Sequence, residues 1–475
     1  MRSWLVQHGA PPGRVWILLG LLGAILNPTL GRGEPAPPRN AAQTLPAETT
    51  EEAPTPRPAN GTTDATPLLP VMTMPDALRW AIEHNPQLAT VRKQRGIAQA
   101  GIVIANTYPF NPILQHFVWG ANNPPGAGVT NHVFNEHTSR IDVELRGQGK
   151  HRRAMAQAAL SRTEWEIATQ EVLVGILAVR AFDTVLYRQE KLRVQEDLLH
   201  LQEEVIKKVE PLAQQGHLPR TELMLAKADL VDARTALGPA HNALVVAWND
   251  LRRQLGMVDE NCTLHGSLDS AFPKLPVTEL MLEGKQRRPD LHALEVAVKE
   301  AEAALRLQIA NRFGNPSIGP AGEVNETSVG FVGMWLIWSP PVFNRRQGEI
   351  MQRQADVARA AQAAQSLDIT IRQEVVAAVN RLASAAKLVE TFRTETFPAL
   401  ESAREGFDQL FARGEPGITL ARVIAIRHRL IQTRGAYLDA LFELSQARAD
   451  LAAAIGDPSL AFPLPPAPTP AVTPK

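Results

Sequence analysis

The sequence predicts a mainly α-helical fold with a small β part, built from one helix–strand–strand–helical hairpin unit that occurs twice. Three observations lead to this fold class. The chain of 475 residues is rich in Ala, Gln, Glu, Arg and Leu, and its aromatic residues make up only 5%, which is typical of long helices. Landmarks recur in the same order in its two halves. Two short segments of β character stand at the same place in each half.

The two halves open, stop and close alike. Each opens with an amphipathic segment interrupted by Pro, stops at Asn-Pro, and closes at an apolar residue followed by Gly. These landmarks lie at 76–88, 111–112 and 255–256 in the first half, and at 278–291, 315–316 and 455–456 in the second. Because the order and spacing agree, duplication explains them better than chance does.

Each half begins with a helix and continues with two strands. The predicted first helices are 76–107 and 278–311, each ended by a proline, which lacks an N–H and clashes with the preceding turn. The predicted strands are 113–120 and 139–145, separated by a surface loop at 121–138, and 317–324 and 327–338, joined by a tight turn at 325–326. The apolar end of the last strand fits a lipid-facing strand and a buried core strand equally well.

A very long helix follows each pair of strands. The segments 150–210 and 345–411 are helical in composition, and at about 1.5 Å per residue they exceed what a compact domain needs. We therefore predict coiled-coil elements. Gly/Pro turns reverse each helix, and the returning helices are predicted at 220–256 and 418–456, so that each half ends in an antiparallel helical hairpin.

The two ends of the chain read as segments outside the folded part. Arg2 and Arg14 precede an apolar run, 15–26, which is shorter than the roughly 20 residues of a membrane-spanning helix and predicts a signal peptide; an uncleaved anchor is the alternative. The predicted domains are a signal peptide (1–33), a disordered Pro/Thr-rich linker (34–71), a first repeat (72–256), an inter-repeat linker (257–277), a second repeat (278–456) and a disordered Pro-rich tail (457–475).

Charge and motifs argue against several classes of function. Lys+Arg and Asp+Glu are 49 each, so no basic excess predicts a nucleic-acid partner. The single Cys262 cannot form an internal disulfide or a Cys-based metal cluster. No phosphate-binding loop, metalloprotease or serine-hydrolase motif is present, so we predict no catalytic residue, no cofactor and no enzyme. His132 and His137 flank Glu136 in the predicted loop, where solvated histidines are favoured over a metal site.

Membrane insertion would have to use the strands. After the N-terminal run, no stretch is long and apolar enough to cross a membrane as a helix, and closed β-strands are the other spanning structure. Four strands cannot close alone, because single-chain barrels begin at about eight. The strands would therefore have to pair with those of other copies of the chain.

Several motifs resemble one family. They are Asp76-Ala-Leu-x-x-Ala-x-x-His84-Asn85-Pro86-x-Leu88, the helix stop Asn111-Pro112, and the strand-to-helix junction 339–348 with its first-repeat counterpart 143–150. In this order they resemble TolC-type outer-membrane efflux proteins, also called outer membrane factors, and are most similar to the cobalt–zinc–cadmium resistance branch. The resemblance covers both repeats, 72–456.

The resemblance implies a bacterial outer-membrane channel component of a tripartite efflux system. It implies a homotrimer whose copies share a twelve-stranded transmembrane β-barrel, with the long helices forming an α-barrel tunnel in the periplasm. The implied partners are a periplasmic adaptor protein, an inner-membrane pump of the resistance–nodulation–division type, and outer-membrane lipid. The channel would conduct substrates passively, with heavy-metal cations and drugs as candidates.

The resemblance also implies where partners bind. The hairpin tips would dock the adaptor, with Gly reversing the helix and an exposed apolar side chain packing into a partner groove; ordinary loop residues are the alternative. The candidate docking residues are Gln215, Gly216, His217, Leu218, Thr221, Gly414, Glu415, Ile418 and Thr419. The family's acidic residues beyond the second tip are missing here, and Arg422 and Arg427 become the candidate aperture lining.

Two other classes of protein remain alternatives. A structural coiled-coil protein of the cell envelope, without a pore, would account for the helices and leave the repeated strand pairs unexplained. A periplasmic adaptor would have one helical hairpin between β-rich halves, whereas this sequence predicts two hairpins and few strands.

Overall fold

The computed structural model describes residues 71–120, 126, 133–216, 219–258, 262–269, 276–325, 328–413 and 420–462. The predicted signal peptide, the predicted linker up to residue 70 and the end of the predicted tail lie outside these residues. No helix in the described ranges combines the length and the apolar character needed to cross a membrane.

The described elements follow the predicted order twice. The first part of the chain contains β1 (Val71–Met72), α1 (Met74–His84), α2 (Pro86–Arg92), α3 (Gln94–Asn106), β2 (Ile113–Gly120), β3 (Val133–Asp142), α4 (Gln148–Gln214) and α5 (Arg220–Leu255). The second part contains β4 (Thr263–Leu264), α6 (Val277–Arg287), α7 (Pro289–Ala310), β5 (Ser317–Val324), β6 (Gly330–Ile337), α8 (Gln347–Thr391), α9 (Phe397–Ala412) and α10 (Leu420–Ile455). Short 3-10 turns occupy Asn311–Phe313 and Pro458–Ala461.

The first helix of each repeat is interrupted, where the prediction had one continuous helix over 76–107 and over 278–311. Asn85 and Arg288, each followed by Pro, adopt extended backbone with ψ of 122° and 115°. The reason is steric, since proline disfavours helical backbone at the residue before it. A short additional break at Lys93 separates α2 from α3.

Four strands form one antiparallel sheet in the order β2-β3-β5-β6. The strand β5 has the predicted bounds, whereas β6 is shorter than predicted and its connection from β5 spans 325–329 instead of a two-residue turn. The strand β3 begins at Val133, so part of the predicted loop 121–138 is strand, because β3 pairs with β2 over the whole length of β2. A second, parallel pair, β1 with β4, was not predicted.

The long helices lie side by side. Near the sheet, α4 packs between α3 and α7, and α7 packs against α8. Farther from the sheet, α4 packs against α5 and α10, and α10 packs against α8 and α9. The hydrophobic core lies at the level of α1 and α6, between the helices near the sheet and the helices farther from it. It includes the fully buried Phe182, Leu251, Ile371 and Leu451.

Two glycines lie where the helices near the sheet contact the helices farther from it. Gly256 ends α5 with φ of +71° beneath Pro86, and Gly456 follows α10 with φ of +85° beneath Pro289. A Cβ on Gly256 would lie 2.5 Å from the His84 carbonyl oxygen. Glycine is needed here both for the left-handed backbone and for the close approach. The same joint in both repeats accounts for the Leu-Gly and Ile-Gly landmarks.

The strand-to-helix junctions are also duplicated in detail. Gly147 and Arg346 precede α4 and α8 with left-handed backbone, at φ of 71° and 56°. In the first repeat the Gln148 side chain accepts a hydrogen bond from the Arg146 N–H at 2.8 Å. In the second repeat Gln347 accepts from the Arg345 N–H at 2.9 Å. The predicted equivalence of the two junction motifs therefore extends to their hydrogen bonds.

A π-helical segment, Phe392–Thr396, separates α8 from α9, where the prediction had one helix over 345–411. Pro398 follows at the start of α9, and its missing N–H and its ring disturb the preceding turn. A wider turn accommodates this disturbance. The segment is held from outside its own helix, because Arg393 donates hydrogen bonds to Asp269 of the inter-repeat segment and, at 3.1 Å, to the Tyr437 hydroxyl.

The predicted disordered tail starts too early. Residues 457–462 are ordered against the core: Ala461 is buried, and Leu460 and Phe462 pack on the core cluster. Asp457 accepts from the Ser459 N–H and pairs with Arg287 at 2.5 Å. These contacts are long-range, so composition alone did not predict them.

Candidate functional site

The first hairpin tip is a short reversal between α4 and α5. Gln215 is the C-cap of α4 and its N–H donates to the Pro211 carbonyl at 3.0 Å. Gly216 has φ of +78°, which favours glycine. Thr221 lies exposed in the first turn of α5. His217 and Leu218 lie outside the described residues, so the docking role of this tip stays a prediction.

The second tip is bounded by α9, which ends at Ala412, and α10, which begins at Leu420. The predicted docking residues Gly414, Glu415, Ile418 and Thr419 lie outside the described residues. Because α9 and α10 pack on each other, the chain reverses between them, as the Gly/Pro turn predicts.

The two candidate aperture arginines differ in environment. Arg422 is exposed near the start of α10. Arg427 is half-buried and pairs with Asp408 of α9, with 3.1 Å between Nη2 and Oδ1. It lines a cavity of about 510 Å³ between α4 and α10. The structure therefore gives Arg427 a bracing contact within the second hairpin that the sequence pattern did not reveal.

The four-stranded sheet has one charged face and one uncharged face. Residues paired across strands share a face, and alternate residues along a strand lie on opposite faces. The charged face carries Glu136 directly opposite Glu323, with Arg140 and Asp142 on the same side of β3. Stacked rings of Phe117, Trp119 and Phe134 lie toward one end of this face.

The uncharged face has no Asp, Glu, Lys or Arg among its described strand residues. The four most exposed apolar side chains of the sheet lie on this face: Leu114 at 79%, Val332 at 94%, Met334 at 73% and Leu336 at 69%. Such a surface is unfavourable in water and favourable against hydrocarbon. The alternation of charged and apolar faces is the pattern of a transmembrane strand.

Two histidines lie together on the uncharged face. His116 and His137 are cross-strand partners with 2.7 Å between their Nδ1 atoms, so one ring donates a hydrogen bond to the other. The prediction that His137 lies in a solvated loop is wrong, since it lies in β3. His132 is outside the described residues. Within the described ranges, no group of three or more His, Cys, Asp or Glu residues is arranged to hold a metal ion.

A buried acid lies far from the sheet, in the core. Asp183 of α4 is almost fully buried, and Ser445 and Arg448 of α10 act on its carboxylate. Burial raises its pKa to about 7, opposed by the charge of Arg448 on α10. Burial also lowers the pKa of Arg448. No sequence motif marked this pair, whose members come from different repeats.

Comparison with known proteins leads to the same architecture. No protein-family model and no curated protein sequence matches the chain. Solved structures do match. The Campylobacter jejuni CmeC outer membrane channel is 13% identical, with a TM-score of 0.63 over 82% of this chain and 86% of that one. The outer-membrane channel OprN is 16% identical, with a TM-score of 0.65 over 86% and 98%.

A third solved structure is that of CusC, described together with its folding and transmembrane channel formation. CusC is 17% identical, with a TM-score of 0.60 over 84% of this chain and 95% of that one. At these identities the likeness establishes the fold. The chain has the TolC-type outer-membrane channel fold, and the match covers 86–98% of the three compared chains.

Proposed function

We propose that this protein is the outer-membrane channel of a tripartite efflux system, and that it conducts substrates passively to the cell exterior. The observation that carries the proposal is the four-stranded sheet with one charged and one uncharged face, attached to helical hairpins far longer than a compact domain needs. Solved proteins with this fold are outer-membrane channels. A passive channel needs no catalytic residue or cofactor.

The sheet supports assembly from several copies. β2 and β6 are edge strands whose outer sides have no partner among the described strands, and unpaired strand edges are unfavourable in lipid. All neighbours in the sheet are antiparallel, so β6 of one copy can pair with β2 of the next in the same antiparallel sense. Three copies would then close a barrel of twelve strands, with the charged face toward the lumen and the uncharged face toward lipid.

The helices support the same assembly. α3 packs on one long helix of its own chain, α4, and leaves Ile97, Val103 and Ile104 at least 66% exposed. These side chains would be buried by the next copy in a closed helical tunnel. We therefore propose a homotrimer with its barrel in the bacterial outer membrane and its tunnel in the periplasm.

The hairpin tips are the proposed docking surface for a periplasmic adaptor. Beside the first tip, Met224 and Leu225 of α5 are 71% and 64% exposed, and such side chains can pack into a groove between partner helices. The adaptor would connect the channel to an inner-membrane pump of the resistance–nodulation–division type. Heavy-metal cations and drugs are the candidate substrates. At the periplasmic aperture, Arg422 and Arg427 would stand in place of the acidic residues that the resemblance to the family implies beyond the second tip.

Electrical recording in planar bilayers tests the proposal. The detergent-extracted protein is added to the bilayer, and its oligomeric mass is measured on the same preparation. We expect discrete conductance steps and the mass of three copies. A folded, helical protein that forms no trimer and no conductance would contradict the channel and would leave the structural coiled-coil protein as the better description.

A further inference from the structure

A cavity of about 370 Å³ lies at the second strand-to-helix junction, below the end of β6. One wall is formed by Asn311, Arg312 and Gly314, and the other by residues 339–344 and Arg346. Next to the cavity, the Trp338 Nε1–H donates to the Phe313 carbonyl at 3.0 Å, which ties the chain segments of the two walls together. The cavity therefore belongs to the level at which the strands give way to helices.

Arginines gather around this cavity. Arg312 and Arg346 line it, and the guanidinium groups of Arg146 and Arg312 lie 4.1 and 5.6 Å from the centre of the Phe313 ring. Within the described residues, none of these arginines lies within ion-pair distance of a carboxylate, in contrast to Arg152 and Arg353 nearby. The Nε of Arg312 is buried without a hydrogen-bond partner in the same part of the chain. The site is thus positively charged and uncompensated.

Apolar side chains stand beside the arginines. Phe343 is 93% exposed and Val342 is 60% exposed, although both flank a charged cavity. A fully exposed Phe next to unpaired guanidinium groups is the composition of a membrane–water interface, where the ring enters the lipid and the charge stays at the headgroups. Under the proposed function, this junction lies at that interface.

The identity of Arg346 is not explained by the fold. Its left-handed backbone is unfavourable for a non-glycine residue, whereas the equivalent residue of the first repeat is Gly147, which adopts this conformation readily. The two junctions share the hydrogen bond from a backbone N–H to the Gln side chain, and in the second junction the Arg346 N–H also donates to Asn344 Oδ1 at 2.9 Å. Arg346 also lines the cavity, whereas Gly147 in the first repeat has no side chain that could carry a charge.

We propose that this junction binds the phosphate of an anionic phospholipid headgroup, with the acyl chains along Phe343 and the uncharged face of the sheet. The inference rests on the membrane placement in the proposed function. A second copy of the chain fits the site less well, because the edge it would present, residues 86–106 and β2, contains no Asp or Glu. A phosphate supplies the negative charge that the arginines lack.

The test compares phosphatidylglycerol binding in native mass spectrometry of the detergent-extracted full chain. Arg346→Gly removes the guanidinium and relieves the strained backbone, so the thermal unfolding temperature should not fall. We expect its affinity for phosphatidylglycerol to drop by roughly tenfold, and further in the double variant with Arg312→Gln. Arg193→Gln with Arg253→Gln removes two exposed charges elsewhere and should leave binding unchanged.

Three results would overturn this inference. They are equal phosphatidylglycerol binding by wild type and both junction variants, displacement of the lipid by inorganic phosphate at equal concentration, and loss of the oligomer in Arg346→Gly. The last would make the junction an interface between copies. Conductance is recorded on the same samples. A wild-type protein that conducts but binds no phosphatidylglycerol would refute this inference alone, whereas absence of conductance would refute the proposed function.

Discussion

At the scale of single residues, the main feature that sequence reasoning missed is the buried Asp183. The groups that act on it, Arg448 and Ser445, come from α10 in the second repeat. No spacing along the sequence relates these residues, and only the packing of the two repeats on each other brings them together. Periodicity and motifs along the sequence do not reveal a long-range charge interaction of this kind.

Asp183 makes stability depend on pH. Its folded pKa of about 7 lies above the ordinary value of 3.8, so the folded state holds a proton that the unfolded state releases. The free energy of unfolding contributed by this group is therefore complete below pH 3.8 and is lost as pH rises from 3.8 to 7. Asp183→Asn resembles the protonated acid, and we expect it to be more stable than wild type at pH 8 by more than about 1 kcal/mol.

Chemical denaturation at pH 5 and pH 8 gives the free energy of unfolding of the variant and of wild type. The difference between the two proteins isolates residue 183, because the contributions of all other titrating groups are the same in both. The exposed acid Asp250, changed to Asn, is the matched control, and its difference should not change with pH. An Asp183→Asn difference that is the same at both pH values would contradict the raised pKa.

At the scale of elements, the types were more predictable than their boundaries. Composition and proline positions indicated four strands and two long hairpins, and these are present. β3 extends into the predicted loop because its pairing with β2 supplies hydrogen bonds that local sequence does not reveal. The breaks at Asn85 and Arg288 follow from the prolines that come next in the sequence. The π segment before Pro398 also has a proline after it, and Arg393 in this segment contacts Asp269 and Tyr437, which the sequence did not predict.

The glycine joint between α5 and α2 is expected to be sensitive to a single methyl group. Gly256→Ala combines left-handed backbone with a Cβ 2.5 Å from the His84 carbonyl oxygen. We expect a loss of more than about 2 kcal/mol in the free energy of unfolding. Urea denaturation followed by circular dichroism measures it. Gly101→Ala is the control, since that site in α3 has open space and should gain about 0.5–1 kcal/mol.

Equal stability of Gly256→Ala and wild type would mean that the levels of helices can separate at this joint without loss. It would also remove the physical reason given for the two glycine landmarks.

At the scale of the whole molecule, the duplicated architecture was predictable because both repeats carry the same breaks in the same order. The hairpin tips were predictable as turns, and their role in docking stays a prediction, since most of their residues lie outside the described ranges. The assignment of the sheet's faces required the register, which strand composition alone did not supply. The register places Glu136 opposite Glu323, and all charged strand residues then lie on one face of the sheet.

The faces predict opposite effects of the same new charge. Glu323→Lys on the charged face should leave membrane insertion intact and shift the channel toward anions, seen as a change in reversal potential under a salt gradient. Val332→Lys on the uncharged face should cost about 2–4 kcal/mol at the bilayer midplane and reduce the yield of inserted protein. Normal insertion of Val332→Lys together with failure of Glu323→Lys would reverse the assignment of lumen and lipid.

The antiparallel order of β2, β3, β5 and β6 has a consequence for stoichiometry. Each copy adds four strands, and its two edge strands, β2 and β6, run in opposite directions. A closed ring of two, three or four copies would therefore pair every edge strand with an antiparallel neighbour. Strand pairing therefore does not determine the number of copies. Under the proposed assembly, the number of copies is set instead by how the exposed face of α3 packs on the next copy. Substitutions at Ile97, Val103 or Ile104 would then change the number of copies while leaving every strand correctly paired.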